Sequence, residues 1–389
     1  MASPYSLLEK RAQNVLQASP SRIPVMLGTC GTGKTSLLLR LREQYASGTV
    51  QHIDVERCAT TPERFLDAVI GSSPFPVNSH NLSPANPREA FKTFTVFLDT
   101  ARTSDGKPCT FLLDEILELR TFESFPGLRH VLRELLEVLN DSANHFALTT
   151  RYVRRAHRLL RDGPSRLEIM HIPPLSMSDV SEVLSPTLSE YKQLAENERN
   201  DIASTVHALT NGHAGYVRIL EESMVRIDAR SPDPISTLTA LLAPDGALSA
   251  ACRFSYESRL QRARGYGALK AILDILGQNE GLTLTQISNQ LHRTPGSTKD
   301  YLSWLEDVDL ITSHQKHYSF TDPLLRVWVR LHCHTMPPEQ DDVVREVQQY
   351  AAERIPKEEA SQALAYSDTG KEDQAVPGEH KQWDIIEID

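Results

Sequence analysis

The apolar residues of this chain fall into two alternating kinds of run. Short, nearly continuous apolar runs of strand character occupy residues 23–27, 50–55, 110–115, 145–151 and 167–172. Between them, at 36–42, 62–70, 88–102 and 128–139, apolar residues return every three or four positions, the pattern of a helix with one buried face. Pro62 stands in the first turn of the second of these helices, where its missing N–H is not needed. Strands that alternate with helices predict a parallel sheet covered on both faces. The stretch 72–87, rich in Pro, Ser and Asn, predicts a loop.

The pattern changes after Pro173, Pro174, Leu175 and Ser176, which end the fifth strand. A helix-rich region then runs to about Ala263, and within it residues 209–218 read as a helix end, a tight turn and a new helix. Residues 268–276 (closed by Gly277), 285–291 and 297–305 predict three short helices, the third with Ser297 or Thr298 as its N-cap. Residues 309–312 and 317–320 predict a hairpin, so this part reads as a helix-turn-helix followed by a wing. An amphipathic helix is expected within 1–19 and one more helix at 341–355. The expected division is an α/β unit over 1–174, a helical lid over 175–263, the helix-turn-helix and wing over 264–336, and an acidic, partly disordered tail over 337–389.

Composition narrows the class. At 389 residues the chain exceeds one ordinary core, and 40% hydrophobic residues suffice to fill two or three. The net charge of −10 is uneven: residues 337–389 hold 14 acidic and 5 basic side chains, a net of −9, which leaves −1 for the rest. Global charge therefore gives no support to nucleic-acid binding, and only a local basic patch could provide it. The five cysteines (Cys30, Cys58, Cys109, Cys252, Cys333) form no C-x-x-C pair, which fits reduced thiols in a cytoplasmic protein. No apolar run approaches the ~18 residues of a membrane span, and residues 1–19 lack the apolar stretch of a signal peptide.

The first chemical signal sits between the first strand and its helix. Gly28, Thr29, Cys30, Gly31, Thr32, Gly33, Lys34 and Thr35 read G-x-x-x-x-G-K-T, followed by Ser36. Glycines let successive backbone N–H groups turn inward around a phosphate, Lys34 can reach the β- and γ-phosphates, and the Thr35 hydroxyl can ligate Mg²⁺. The second signal is Asp114–Glu115 at the end of the third strand, the edge where ligands sit in parallel sheets. Asp114 is expected to assist the metal and Glu115 to polarise a water attacking the γ-phosphate. At the end of the fourth strand, Thr150 and Arg151 are expected to sense that phosphate. Arg154, Arg155, Arg158, Arg161 and Arg166 follow, and one of them could serve a neighbouring subunit as an arginine finger.

Together these elements resemble the AAA+ ATPases, in the branch that includes the STAND switch ATPases, the archaeal-type ATPases and the replication initiators. The residues that carry the resemblance are the 28–35 loop, Leu112–Glu115, Thr149–Thr150–Arg151, the boundary at Ile172–Ser176 and Asn211–Gly212–His213. The resemblance implies that Thr149–Thr150–Arg151 is a first sensor and that the helical lid makes a second nucleotide contact, in which His213 and Arg218 are the positions to consider. Where family members commonly have G-H-P, this chain has Gly212–His213–Ala214. Residues 266–334 resemble the winged helix of the archaeal-type ATPases, and 320–328 their segment after the wing.

The expected function is an ATP-binding and ATP-hydrolysing switch using ATP and Mg²⁺, with ADP as product and nucleotide-dependent homo-oligomers as its assembled form. Two outputs stay open. One is action on double-stranded DNA in transposition, replication or transcription control. The other is a signalling or defence switch whose winged helix contacts a partner protein. The third helix offers only Lys299, beside Asp300, Glu306 and Asp307, while the wing adds Lys316 and the preceding turn Arg293. That is a thin supply of cations for a duplex.

Overall fold

Five parallel strands form the centre of the computed structural model, which describes residues 5–76, 84–161, 163–224, 232–260, 265–334 and 336–355. Helix α1 (Ser6–Gln17) precedes strand β1 (Ile23–Leu27), which leads into α2 (Lys34–Glu43). Strand β2 (Val50–Asp54) ends one residue early, because the Asp54 carboxylate accepts the Arg57 N–H and caps a short helix α3 (Val55–Cys58). Helices α4 (Pro62–Gly71) and α5 (Pro87–Thr100) start on Thr61 and Asn86 caps, each with Pro at the first turn. Part of the loop expected between them lies outside the described residues.

Strand β3 (Thr110–Asp114) is followed by a 3₁₀ segment (Ile116–Ser124) that periodicity does not announce. Helix α6 (Val131–Asp141) begins three residues later than expected, after a turn at Pro126–Gly127 that leaves Leu128 buried ahead of the helix. Strand β4 (His145–Thr150), helix α7 (Val153–Leu160) and strand β5 (Leu167–His171) complete the unit.

The sheet order is β2-β3-β4-β1-β5, every pair parallel, with β1 between β4 and β5. Alternation along the strands separates two packed layers. Ile23, Val25, Leu27, Phe111, Leu113, Phe146 and Leu148 face one core, while Met26, Leu112 and Ala147 face another shared with α1 and α2. Strands with apolar side chains on both faces are thus explained by cover on both faces.

Helices α8 (Met177–Glu190), α9 (Glu196–Thr210) and α10 (Ala214–Met224) follow, the first held by a Ser176–Asp179 capping box. Two further helices, α11 (Pro234–Leu242) and α12 (Ala247–Leu260), lead to the C-terminal unit. There α13 (Tyr266–Gln278), strand β6 (Leu282–Thr283), α14 (Leu284–Gln290), α15 (Pro295–Asp307) and strands β7 (Ile311–His314) and β8 (His317–Phe320) build a helix-turn-helix with a three-stranded sheet.

The expected hairpin is β7–β8, and β6 pairs with β8 on its other edge. The N-cap of α15 is Thr294, not Ser297 or Thr298: its hydroxyl accepts the Ser297 N–H at 3.4 Å, and Pro295 takes the first helical position. Helix α16 (Pro323–His332) follows, with Trp328 buried and its Nε1 donating to Ser249 Oγ at 3.0 Å. Helix α17 (Gln340–Arg354), expected within an acidic tail, instead packs Val343, Val347, Tyr350 and Ala351 into the body against α9, α11 and α16. The rest of that tail lies outside the described residues. No single helix among the described residues is long and apolar enough to cross a membrane.

Candidate nucleotide-binding site

The loop after β1 leaves the carboxyl edge of the sheet and runs straight into α2, whose N-cap is Gly33. Gly31 and Gly33 have φ of +79° and +91°, in the region where a side chain is strained. Space is closed at Gly31 as well, since a Cβ there would lie 2.7 Å from Cε1 of His213. The Thr32 hydroxyl folds back onto the Thr29 carbonyl at 2.9 Å. The loop thus delivers its amides to the N-terminus of α2, where unpaired N–H groups and the helix dipole favour an anion.

Lys34 is 4% exposed, and its ammonium donates to the Gly28 and Thr29 carbonyls at 2.8 Å each, with Glu115 Oε1 at 3.3 Å. Thr35 Oγ1 donates to Asp114 Oδ2 at 2.6 Å. Thr149 Oγ1 donates to the other oxygen, Asp114 Oδ1, and accepts the Glu115 N–H at 3.0 Å. Burial pushes the Asp114 carboxyl up, but His52, Thr149 and Thr35 outweigh it and hold the group below the usual range. His52 Nε2 stands 3.9 Å from Asp114, too far for a hydrogen bond, so the two hydroxyls supply the donors.

Glu115 sits in the left-handed region at φ 55°, a strain on the order of 1 kcal/mol. Its Oε2 accepts the Arg151 N–H at 2.8 Å and lies 3.3 Å from Arg151 Nε. Arg151 is buried and also pairs with Glu56 in α3. Burial works against its charge, yet Glu115 and Glu56 hold its pKa above the ordinary value.

Thr150, expected to sense the γ-phosphate, is placed differently from Thr149. Its hydroxyl accepts the Tyr152 N–H at 3.2 Å, and it stands away from Asp114 and Glu115. Successive side chains of β4 point to opposite faces, so only Thr149 turns toward the acidic pair. Two residues of the site escape sequence reading: His52, 3.9 Å from Asp114, and Glu56, the partner of Arg151. His52 lies within β2 and Glu56 in α3 just after it, and only the strand order brings that segment beside β3.

Glu56, Asp114, Glu115 and Arg151 line one cleft of about 920 Å³. Cys30, Gly31, Gly33, Lys34, Thr35 and Ser36 border it, Asp114, Glu115 and Arg151 stand at the strand tips, and Gly215 and Arg218 close it from α10. Gly28 lies behind the loop, where a Cβ would meet Thr32 Oγ1 at 2.5 Å. The turn before α10 grips the loop: His213 Nε2 donates to the Cys30 carbonyl at 2.7 Å and the Gly215 N–H to the Gly31 carbonyl at 2.9 Å. Arg218 is exposed and pairs with Glu222 at 3.4 Å.

The other arginines go elsewhere. Arg154 binds Glu306 at 2.7 Å and Thr312 at 3.0 Å, and Arg158 pairs with Asp307, so α7 is tied to the C-terminal unit. Arg166 donates to the Leu139, Asn140 and Ser142 carbonyls at the end of α6. Arg155 lies over the Tyr152 ring at 5.0 Å, and Arg161 is exposed.

No protein-family model matches the chain, and no characterised protein matches it in sequence. Among solved structures it is similar to a Walker-type ATPase of Pyrococcus abyssi, with 17% identity, a TM-score of 0.63 and coverage of 84% of this chain and 95% of that one. Two looser likenesses have TM-scores too low to argue from. One is to the Drosophila ORC bound to DNA (14% identity, 81% and 90% coverage, TM-score 0.36). The other is to a Thermotoga maritima RuvB mutant (13% identity, 82% and 90% coverage, TM-score 0.41). At 17% identity the first likeness speaks for architecture, and with the strand order and the loop–helix junction it means that the chain has the P-loop ATPase fold.

Proposed function

We propose that the chain is an ATP-hydrolysing switch of the AAA+/STAND type. The observation that carries this reading is the 2.6 Å bond from Thr35 to Asp114, which joins the glycine loop to the tip of β3. A hydroxyl beside an ionised carboxylate is a donor set suited to a hard cation, and a loop with Gly31 and Gly33 in the left-handed region suits a backbone wound around a phosphate. Thr35 and Asp114 would hold Mg²⁺, which when bound supplies neutralisation of phosphate charge. Gly28 to Ser36 bind the triphosphate of ATP through main-chain amides, with Lys34 leaving the Gly28 and Thr29 carbonyls for phosphate oxygens. Glu115 accepts a proton from the attacking water once its tie to Arg151 loosens, and Arg151 senses the γ-phosphate. ADP and phosphate are the products.

In this reading 1–174 is the ATPase core, 175–263 the lid, and 264–336 a winged helix that moves with the nucleotide state. A homo-oligomer would bring a free arginine, such as Arg161, to a neighbour's nucleotide. Around the turn between α14 and α15 the exposed side chains of Asn289, His292 and Arg293 make a polar face suited to the phosphates of duplex DNA. Contact with a partner protein is the second reading, since the third helix offers only Lys299 as a cation and its Glu306 and Asp307 already pair with Arg154 and Arg158 of α7 in the same chain.

The test is phosphate release and particle mass of the purified protein, with and without duplex DNA, for the wild type and Glu115→Gln. The variant should bind ATP, turn it over about 10²- to 10⁴-fold more slowly and accumulate the assembled form. Wild-type turnover that persists undiminished in the variant would overturn the role of Glu115. Duplex binding that strengthens with ATP and weakens with salt decides for DNA over a protein partner.

A further inference from the structure

The turn between α9 and α10 is connected to more than the cleft. A carbonyl can only accept, so the 2.7 Å contact with Cys30 places the His213 proton on Nε2. Nδ1 is then an acceptor, and the Tyr216 N–H faces it at 3.4 Å. Burial holds the imidazole below its ordinary pKa, in keeping with this neutral form. The ring stacks on Tyr216 with centroids 3.9 Å apart.

Beyond the ring, the Tyr216 hydroxyl donates to Asp322 Oδ2 at 2.5 Å. The other carboxylate oxygen accepts the Leu324 and Leu325 N–H groups at 3.0 and 3.2 Å and so caps α16. An unbroken line of contacts therefore runs from the glycine loop through Tyr216 to the first turn of a helix that begins more than a hundred residues after Tyr216.

The loop end of this line is a lever on the backbone. A trans peptide points its carbonyl and N–H in opposite directions. Holding the Cys30 carbonyl toward His213 sets the Gly31 N–H toward the opposite side, and the Gly215 contact does the same for Gly31 and the Thr32 N–H. A Cβ at Gly31 would strike the His213 ring, so the fit leaves little slack.

We propose that His213 is a positioning residue for the loop amides, and that Tyr216 and Asp322 couple its position to the first turn of α16. This rests on the reading above, that the loop takes a nucleotide phosphate. Nucleotide in the cleft and order at α16 then act on one equilibrium, and the coupling is reciprocal.

Hydrogen exchange at the Leu324 and Leu325 amides, with and without saturating ADP and Mg²⁺, reads the coupling on the full chain. The wild type should show a change of about 5-fold or more, the low end of allosteric coupling. Tyr216→Phe keeps the ring and loses the hydroxyl; it should bind ADP yet lose the response. His213→Phe should weaken ADP binding and, at saturating ADP, lose the response as well, while His213→Gln, which can still offer a donor, should retain both. Asp322→Asn, which still caps a helix, should change ADP affinity by a similar factor without touching the loop.

A wild type that binds ADP with no change at Leu324 and Leu325 overturns the coupling, as does a response that survives both Tyr216→Phe and His213→Phe. A wild type that binds no ADP removes the nucleotide reading itself, and the relay with it. Melting curves of each variant separate loss of coupling from loss of fold.

Discussion

Asp114 at the tip of β3 and Asp309 in the turn between α15 and β7 are buried to nearly the same extent, 3% and 6% exposed, and are shifted in opposite directions. Asp114 receives a hydroxyl on each oxygen and is held ionised below the usual range. Asp309 receives the Arg154 N–H on one oxygen at 3.3 Å, and its buried Oδ2 has no partner. Two arginines stand close, but Arg154 spends its guanidinium on Glu306 and Thr312, and Arg259 donates to the backbone carbonyl of Asp309 at 2.9 Å. Burial therefore dominates, and the Asp309 carboxyl is pushed up to about 6. Burial costs both charges; the donors decide which survives. One site is organised to keep a negative charge beside the glycine loop, while the other places a group that titrates near neutrality where the C-terminal unit meets α7.

The largest test of this contrast is Asp114→Asn. The amide still offers an acceptor to one hydroxyl, so the fold should persist, but the charge facing the metal position is gone. Phosphate release should fall by about 10²- to 10³-fold, the range seen when a group that stabilises transition-state charge is removed. A fall of less than a few-fold, with unchanged melting, would show that the charge at the strand tip is not used in turnover.

At Asp309 the same substitution should act on stability with the opposite sign. Its folded pKa of about 6 lies above the ordinary 3.8, so the stability it contributes is complete below pH 3.8 and is lost as the pH rises through 6. Asp309→Asn should therefore stabilise the protein at pH 7, by at most about 3 kcal/mol. It should also flatten the decline between pH 4 and 7. Asn tolerates the left-handed backbone found there, φ 55°. Urea titrations at pH 5 and pH 8 measure both effects, and equal slopes with pH in the two proteins would assign the pH dependence elsewhere.

Much of the α/β unit is legible in the chain because its signals are local. A five-residue apolar run such as Ile23–Leu27 is buried on both faces, and the glycine spacing at 28–35 needs only its own loop to make sense. What is hidden depends on partners distant in sequence. His52 approaches Asp114, and Glu56 reaches Arg151, only because β2 lies beside β3, and Arg154 and Arg158 meet Glu306 and Asp307 from about 150 positions away. Strand β6 has two residues, too few to show any period. The cap at Thr294 is a different case, since Thr-Pro at a helix start is itself a local signal that outranks the serine three residues on. Helix α17 is expected at 341–355 from the sequence, but its docking is not, since Val343, Val347 and Tyr350 on one face tie it to distant helices of the body.

Thr149 and Thr150 bring these two kinds of legibility to a single step of the chain. Composition favours neither hydroxyl, but the pleat does, because adjacent residues of β4 face opposite sides of the sheet. Thr149→Val keeps the shape and removes a donor to Asp114 and an acceptor for the Glu115 N–H. A hydrogen bond to a charged group is worth about 1.5–3 kcal/mol, so turnover should fall roughly 10-fold or more if Asp114 is used as proposed. Thr150→Val removes one acceptor for the Tyr152 N–H, remote from both carboxylates. Its turnover should stay within about 2-fold of the wild type, with a stability loss near 1 kcal/mol. Phosphate release by the two variants, read beside their melting temperatures, separates the positions. Equal losses of turnover would mean that the strand tip acts as one rigid block, and a greater loss at Thr150 would mean that Thr150, as the sequence alone predicts, is the hydroxyl that serves the nucleotide.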